Sequence, residues 1–419
     1  MLKTKTIKLK VVIFFSIFLY STLILGFFLN EDSLGGANKD YNYHLHIIFS
    51  FKENILNTLE NFGTDKMVAR NSPFFFILYG IALRFFDSLE ILRIFNLQIT
   101  LLIIFYFYKC LKIKFSYVES KIIFLLSVIL FLSPTYRSLA IWPYPFIYAI
   151  LFFIISIYFF LKFENKKKFK YIVFHIFFIG LSSYMTPNFS VFSIFFFLKF
   201  FNYYKLNKNF FLIIFLYLLL LYPALFFLIK KNFYLLAYDV SVIKFYDKIN
   251  VSNKIVLISC IFFFYLLPIV LKFYKKIILN KNDKIIILIL YFISIIFFDF
   301  EKKYNEGGGI IYKFSYFLLD NNLLLYFFYL FSLIYLYKIA KTSFFNFLLL
   351  LLLIPYNLQF SIFHKYYDPL IIIIFFLLLN NNLDKKYFNY KNIFYLYVFQ
   401  IFFLILSINK NFFYNIKLQ

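Results

Sequence analysis

Apolar stretches of about twenty residues recur along the whole chain, and they leave little choice of fold. Segments 11–29, 141–160 and 211–229 are each long enough to cross a hydrocarbon core of roughly 30 Å as α-helix. Across 419 residues the chain is 63% hydrophobic and 26% aromatic, with a mean hydropathy of +0.82. A soluble domain of this length has no interior large enough to hide that much apolar side chain. The expectation is an all-α, polytopic transmembrane protein. The excess of Phe, Ile, Lys, Asn and Tyr is what an A/T-rich genome encodes, so Lys-for-Arg usage reflects codon pressure as much as design.

The formal charge is +25, from 44 Lys and Arg against 19 Asp and Glu. In a soluble chain that balance points to nucleic acid. Here the lysines punctuate the apolar runs, where they set topology and meet anionic headgroups of membrane lipids, and no nucleic-acid partner is expected. Cys110 and Cys260 lie at the end of one run and inside another, with neither disulfide nor metal spacing. Lys3, Lys5, Lys8 and Lys10 precede the first apolar run. That run is too long for a secretory signal and no small-residue cleavage site follows it. An uncleaved signal anchor with a cytoplasmic N-terminus, in a bacterial inner (plasma) membrane, is expected.

With 11–29 running from inside to outside, the delicate segment is 72–86. Its apolar part from Pro73 is shorter than a span and ends in Arg84-Phe85-Phe86-Asp87. A crossing there would carry Lys109, Lys112, Lys114 and Lys121 to the outside and invert every later loop. Laid along the outer interface as an amphipathic helix, it lets the positive-inside rule hold for loops 109–121, 162–170, 199–208, 272–284, 338–341 and 385–391. About 13 spans follow, as a single domain over 1–419. Its parts are a large first outer loop, 30–90, carrying interfacial helices, and a transmembrane bundle, 91–408. Segments 133–145, 230–254, 299–313 and 364–369 also fall outside, and the lysine-bearing loop 230–254 breaks the rule most. A short or re-entrant helix fits within 310–337, before Asn321-Asn322.

The chemistry-bearing residues gather on that outer face. The loop after the first span is a polar island, with Glu31, Asp32, Asp40, His44, His46, Asp65 and Arg70 in a chain only 15% charged. A carboxylate at the mouth of a membrane cavity can serve as a general base, because partial desolvation raises its affinity for a proton. Asp40 and His44 stand four residues apart, so a helix starting near Asp40 turns both to one side. The plainer reading is a helix cap and a surface histidine. The only arginines are Arg70, Arg84, Arg93 and Arg137, all placed near the outer interface. Their planar, permanently charged fork suits phosphate or carboxylate, against a plainer role as headgroup anchors. A third feature is Ser133-Pro134-Thr135-Tyr136-Arg137 followed by Trp142-Pro143-Tyr144-Pro145, either an interfacial belt or a wall of a sugar or lipid site. The fourth is His364-Lys365-Tyr366-Tyr367-Asp368-Pro369, an ordinary tight turn or a phosphate clamp. Asp299, Glu301 and Glu306 with Gly307-Gly308-Gly309 read as a flexible, solvated acidic loop. No Walker, HExxH or Cys/His metal motif is present in the sequence. Charges within the predicted spans are nearly absent, His175 being the main exception, which argues against an ion-coupled transporter.

Taken in order, these features resemble the GT-C glycosyltransferases over roughly the first 200 residues. The resemblance is carried by an N-in first span, a long outer loop opening with acids and holding Asp40-Tyr41-Asn42-Tyr43-His44, and Asn71-Ser72-Pro73 where many bacterial relatives have His-Pro-Pro. Arg93-Ile94-Phe95-Asn96 at the start of the next span and the Leu132-Ser133-Pro134 turn add to it. Two departures stand: the Asp-Glu pair common in that loop is Asp40-Tyr41 here, and His-Pro-Pro is reduced to Ser-Pro. The resemblance implies an inverting transferase that takes a sugar from a polyprenyl-phosphate-linked donor. An outer-loop carboxylate would deprotonate a lipid, glycan or protein acceptor while cations hold the leaving phosphate. Mapped on this chain, Asp40 is the base with Asp32 as substitute, and Arg70, Arg93, Arg137, His364 and Lys365 are phosphate contacts. Tyr43, His44 and Trp142 would contact the sugar or acceptor. No organic cofactor is implied, and the acids allow a divalent cation or none. Two other readings stay open: a surface-polysaccharide polymerase or ligase, and a lipid-linked-glycan flippase or transporter.

Overall fold

Apolar sequence in lipid must satisfy its backbone polar groups within each segment, and helix does so. A computed structural model of the protein describes residues 8–64, 67, 71–231, 250–273, 279–300, 307–357, 362–380 and 387–416, and among them all regular structure is helical, with no strand. The helices divide into two units, residues 1–187 with 383–419, and residues 188–382. The first unit opens with α1 (Leu9–Phe28), α2 (Ala37–Glu53), α3 (Ile55–Asn61), α4 (Pro73–Phe86) and α5 (Leu89–Lys114). It continues through α6 (Ser120–Val128), α7 (Pro134–Ile141), α8 (Pro145–Lys166) and α9 (Lys170–Met185). The second holds α10 (Phe192–Tyr204), α11 (Lys208–Lys230), α12 (Val251–Phe273), α13 (Lys281–Ile296), α14 (Gly309–Leu319), α15 (Leu323–Thr342), α16 (Phe344–Leu352) and α17 (Leu370–Leu377). A last helix, α18 (Tyr390–Ile416), returns to the first unit.

Seven of these helices are long and apolar enough to cross a membrane, or eight if the bent pair Ser120–Leu132 and Pro134–Ile141 is one span. That count is lower than the thirteen of the sequence expectation because α9, α10 and α13, which it takes as crossings, run only 16, 13 and 16 residues, and α16 and α17 are shorter still. The bent pair turns by 67° at Ser133-Pro134. Proline there cannot donate and clashes with the preceding turn, while the Ser133 hydroxyl accepts from the Tyr136 N–H and starts α7 afresh. The same Ser-Pro device starts α4, where Ser72 accepts from the Phe74 N–H ahead of the amphipathic helix expected over 72–86.

In the first unit α8 packs between α5 and α9, and α2 lies against α4. The α2–α4 approach depends on Gly80: a Cβ there would stand 2.6 Å from the Phe51 Cβ and 2.8 Å from its carbonyl carbon. Arg84 then closes the joint by donating to the Phe51, Lys52 and Glu53 carbonyls, three of the groups that the end of α2 leaves without helical partners. At α18, the Tyr397 hydroxyl donates to the Leu125 carbonyl at 2.7 Å and the Tyr390 hydroxyl to Glu119 at 3.2 Å.

In the second unit α12 packs against α13, α14 and α15. Lys341 at the end of α15 pairs with Asp283 at the start of α13, 2.6 Å apart. Asn346 and Asn380 bond reciprocally, side chain to backbone, so the start of α16 meets the end of α17. The helix expected before Asn321-Asn322 is α14, and the Ser315 hydroxyl donates to the Asn321 carbonyl across the turn.

Candidate functional site at the start of the polar loop

The end of α1 sets the site. The chain turns at Asn30 with φ +52°, and the Glu31 N–H donates back to the Gly26 carbonyl at 2.8 Å. This folds the Glu31 carboxylate over Gly26, where a Cβ would lie 2.2 Å from its Oε2. Glycine is the residue that leaves the carboxylate room. Arg137, delivered by the kinked α7, grips that carboxylate with both arms of its fork, Nε to Oε1 at 2.8 Å and Nη2 to Oε2 at 2.5 Å. Its other N–H groups go to the Thr22 hydroxyl and carbonyl and to the Phe131 carbonyl. Arg137 is 3% exposed, so this is a buried, bidentate and hydrogen-bonded ion pair. A phosphate at Arg137 would have to displace Glu31.

Asp32, next along, binds four successive backbone N–H groups, those of Gly35, Gly36, Ala37 and Asn38, at 2.9–3.2 Å. An anion at a helix N-terminus satisfies the orphan donors and opposes the macrodipole. The carboxylate offered above as substitute base is thus the anchor of the loop that starts α2. Ser33 and Ser138 tie the same loop to α7: the Ser33 hydroxyl donates to the Pro134 carbonyl at 2.9 Å, and the Leu34 N–H donates to the Ser138 hydroxyl at 2.7 Å.

Arg93 stands beside this joint under different constraints. Its guanidinium lies over Trp142 at 4.2 Å from the ring centroid and over Phe27 at 4.9 Å. Nε donates to the Ile141 carbonyl and Nη2 to the Asn30 side chain, at 3.2 and 2.9 Å. Nη1 has no acceptor, and no carboxylate sits within ion-pair distance, among the described residues. The cation is held in place and half-exposed. Trp142 is fixed in turn by donating its indole N–H to the Glu31 carbonyl at 3.0 Å. Tyr41 packs on Trp142, and burial pushes its hydroxyl up to about 12, with the Arg93 charge partly opposing, so it stays a donor.

Asp40 lies in the first turn of α2, half-exposed, with His44 one turn on in the same helix. His44 is buried, its ring 5.1 Å from Phe76 and 5.6 Å from Tyr144, while Tyr43 beside it is 54% exposed. Arg84 caps α2, as described above. The Tyr79 and Tyr148 hydroxyls bond to each other at 2.7 Å, and Asn96 donates to the Leu139 and Ala140 carbonyls that end α7.

Of the residues singled out in the sequence, the first unit brings Arg93, Arg137 and Trp142 together around Glu31, with Asp32 heading the helix that carries Asp40, Tyr43 and His44. Arg70 lies outside the described residues. His364 and Lys365 belong to the second unit, where both His364 ring nitrogens are engaged by Ile310 and Tyr265. Sequence reasoning placed Glu31 in the polar island without giving it a role and did not single out Gly26 or Asn30, although their place at the end of a span and the rarity of arginine were the available signals. It named Asp368 only as part of the turn 364–369 and passed over Lys254; they are 0% and 3% exposed in the second unit. His175 donates from Nδ1 to the Ser156 carbonyl at 2.9 Å, since a carbonyl can only accept, and this fixes the proton on Nδ1. No group of three His, Cys, Asp or Glu side chains is set to hold a metal ion among the described residues. Comparison with models of known protein families, with curated proteins and with solved structures finds no match to this chain.

Proposed function

We propose that the protein is a membrane glycosyltransferase that moves a sugar from a polyprenyl-phosphate-linked donor to a lipid, glycan or protein acceptor on the outer face, with inversion. The observation that carries this reading is Arg93, a cation clamped between two aromatic rings, without a carboxylate partner and with a spare N–H among the described residues, beside the polar start of α2. Such a group suits a lipid-linked phosphate whose charge grows as the sugar leaves. Asp40 serves as the base, since it is half-exposed where Asp32 is committed to backbone N–H groups. Tyr43 and His44 meet the sugar or acceptor. Arg137 and Trp142 act by holding Glu31 and Arg93, and Arg70 is a further phosphate contact.

The thirteen-span, N-in topology belongs to the same proposal, and reaching thirteen requires the shorter helices to count as crossings. It is supported by which loops meet within each unit. Segments read as outer meet in pairs, Glu31 with Arg137 and Ile310 with His364. Segments read as cytoplasmic do likewise, Glu119 with Tyr390 and Asp283 with Lys341. A lipid-linked-glycan flippase is the second reading, favoured by the buried Lys254 and Asp368, because buried charge in a membrane bundle commonly marks a path.

The test is transfer from a polyprenyl-phosphate-linked sugar by the full chain in nanodiscs. Asp40→Asn is expected to lower turnover at least about a hundredfold at unchanged expression. Arg93→Lys, which loses the planar fork, is expected to weaken donor use by roughly tenfold or more. Full activity in Asp40→Asn removes it as the base.

A further inference from the structure

A chain of hydrogen bonds in the second unit has a direction. The Ile310 N–H, in the first turn of α14, donates to Nε2 of His364 at 2.8 Å. A backbone N–H can only donate, so Nε2 carries a lone pair and the imidazole proton sits on Nδ1. Nδ1 lies 2.9 Å from the Tyr265 hydroxyl and therefore donates to it. The Tyr265 hydroxyl in turn hydrogen-bonds the Asp368 side chain, which is wholly buried. One tautomer thus ties a carboxylate inside the unit to the N-terminus of a helix. Glycine suits the turn: Gly309 has φ +83°, which an L side chain rarely adopts, and a Cβ there would stand 3.0 Å from Cγ1 of Ile261. A second anchor of the turn is the Gly308 N–H, which donates to the Ile362 carbonyl at 3.0 Å.

We propose that Asp368, Tyr265 and His364 form a proton-linked latch that holds the Gly308–Ile310 turn closed while Asp368 is ionised. As pH falls, a solvent proton binds Nε2 of His364, the Nδ1 proton passes to the Tyr265 oxygen, and the Tyr265 proton passes to the Asp368 carboxylate. One proton enters and one carboxylate is neutralised. His364 ends neutral with its proton on Nε2, facing the Ile310 N–H, and the turn loses that anchor. The titratable groups on the elements about His364 include Lys254, Cys260 and Tyr265 from α12, Tyr312, Lys313 and Tyr316 from α14, and Lys365, Tyr366, Tyr367 and Asp368 from its own turn. Lys254 donates to the Asn357 carbonyl, and Lys365 lies 5.7 Å from the Phe363 ring. The latch is independent of the reaction proposed above.

The test uses the full chain in nanodiscs, with 15N-histidine spectra assigned among its four histidines by loss of one signal in His364→Asn. At neutral pH the His364 proton is expected on Nδ1. On acidification, amide exchange at Ile310 should rise roughly three- to tenfold, the effect of one lost hydrogen bond. Asp368→Asn should move that step down by at least about one pH unit, and His364→Gln, whose carbonyl still accepts from Ile310 but does not titrate, should remove it. A second readout needs no variant: the infrared band of a protonated carboxyl should grow in with the same midpoint as the exchange step. A proton on Nε2 at neutral pH, a step surviving in His364→Gln, or midpoints that disagree would each overturn the latch.

Discussion

Glu31 and Arg137 show how much a single pair decides here. Both are nearly excluded from solvent and fully hydrogen-bonded, so removing either alone strands the other charge. Glu31→Gln is expected to cost about 3–5 kcal/mol, read as a large drop in thermal midpoint in detergent. The double change Glu31→Leu with Arg137→Leu should cost markedly less than Arg137→Leu alone, since no orphan charge is left. Gly26→Ala probes the same pair from the other side. Its new methyl would meet Glu31 Oε2 at 2.2 Å, and a loss of about 1–3 kcal/mol is expected. Arginine's rarity made Arg93 and Arg137 legible in the sequence. What each one does was not legible, because a guanidinium spent on Glu31 and one left with a spare N–H look the same in one dimension.

At the scale of elements, the polar island is a set of three helices whose joints are made by backbone capping. Arg84 was read as one of a cluster of phosphate-binding or anchoring cations, and its structural partners are the last carbonyls of α2. Arg84→Ala is expected to raise amide exchange over the last turn of α2 and to cost about 1 kcal/mol, without changing α1 or α5. Lys52 hydrogen-bonds Asp87 across the same joint and holds its carboxyl below the usual range. The sign follows: the contribution is present above the unfolded carboxylate range and is lost as pH falls through the lower, folded value. The exposed pair makes that change small, so exchange in Asp87→Asn should match the wild type in acid and differ from it slightly at neutral pH. Helix starts at Pro73 and Pro134 were foreshadowed by Ser-Pro, a local signal. The start of α2, read near Asp40, falls at Ala37; its anchor was not legible, because Asp32 reaches forward to four N–H groups through two glycines.

For the whole molecule the informative measurement is sidedness. Tyr43→Cys and Lys168→Cys, both at exposed positions, are expected to react with a membrane-impermeant thiol reagent from opposite faces, Tyr43→Cys from outside. The buried native Cys110 and Cys260 provide a quiet background. Labelling of both from one side would sink the proposed topology and the outer-face reaction with it. Composition and apolar run length by themselves determined an all-helical chain with several membrane-length segments, because hydrophobicity and helix rise act locally. The same local logic carried the Ser-Pro breaks and the helix after Ser72. Only the tertiary structure decided which charges are spent and which are kept: Glu31 on Arg137, Asp32 on a helix end, and Arg93 held between rings. Those outcomes rest on contacts between residues as far apart as Thr22 and Arg137, and in a low-dielectric interior a partner's position, set by the fold, governs what a charged side chain does.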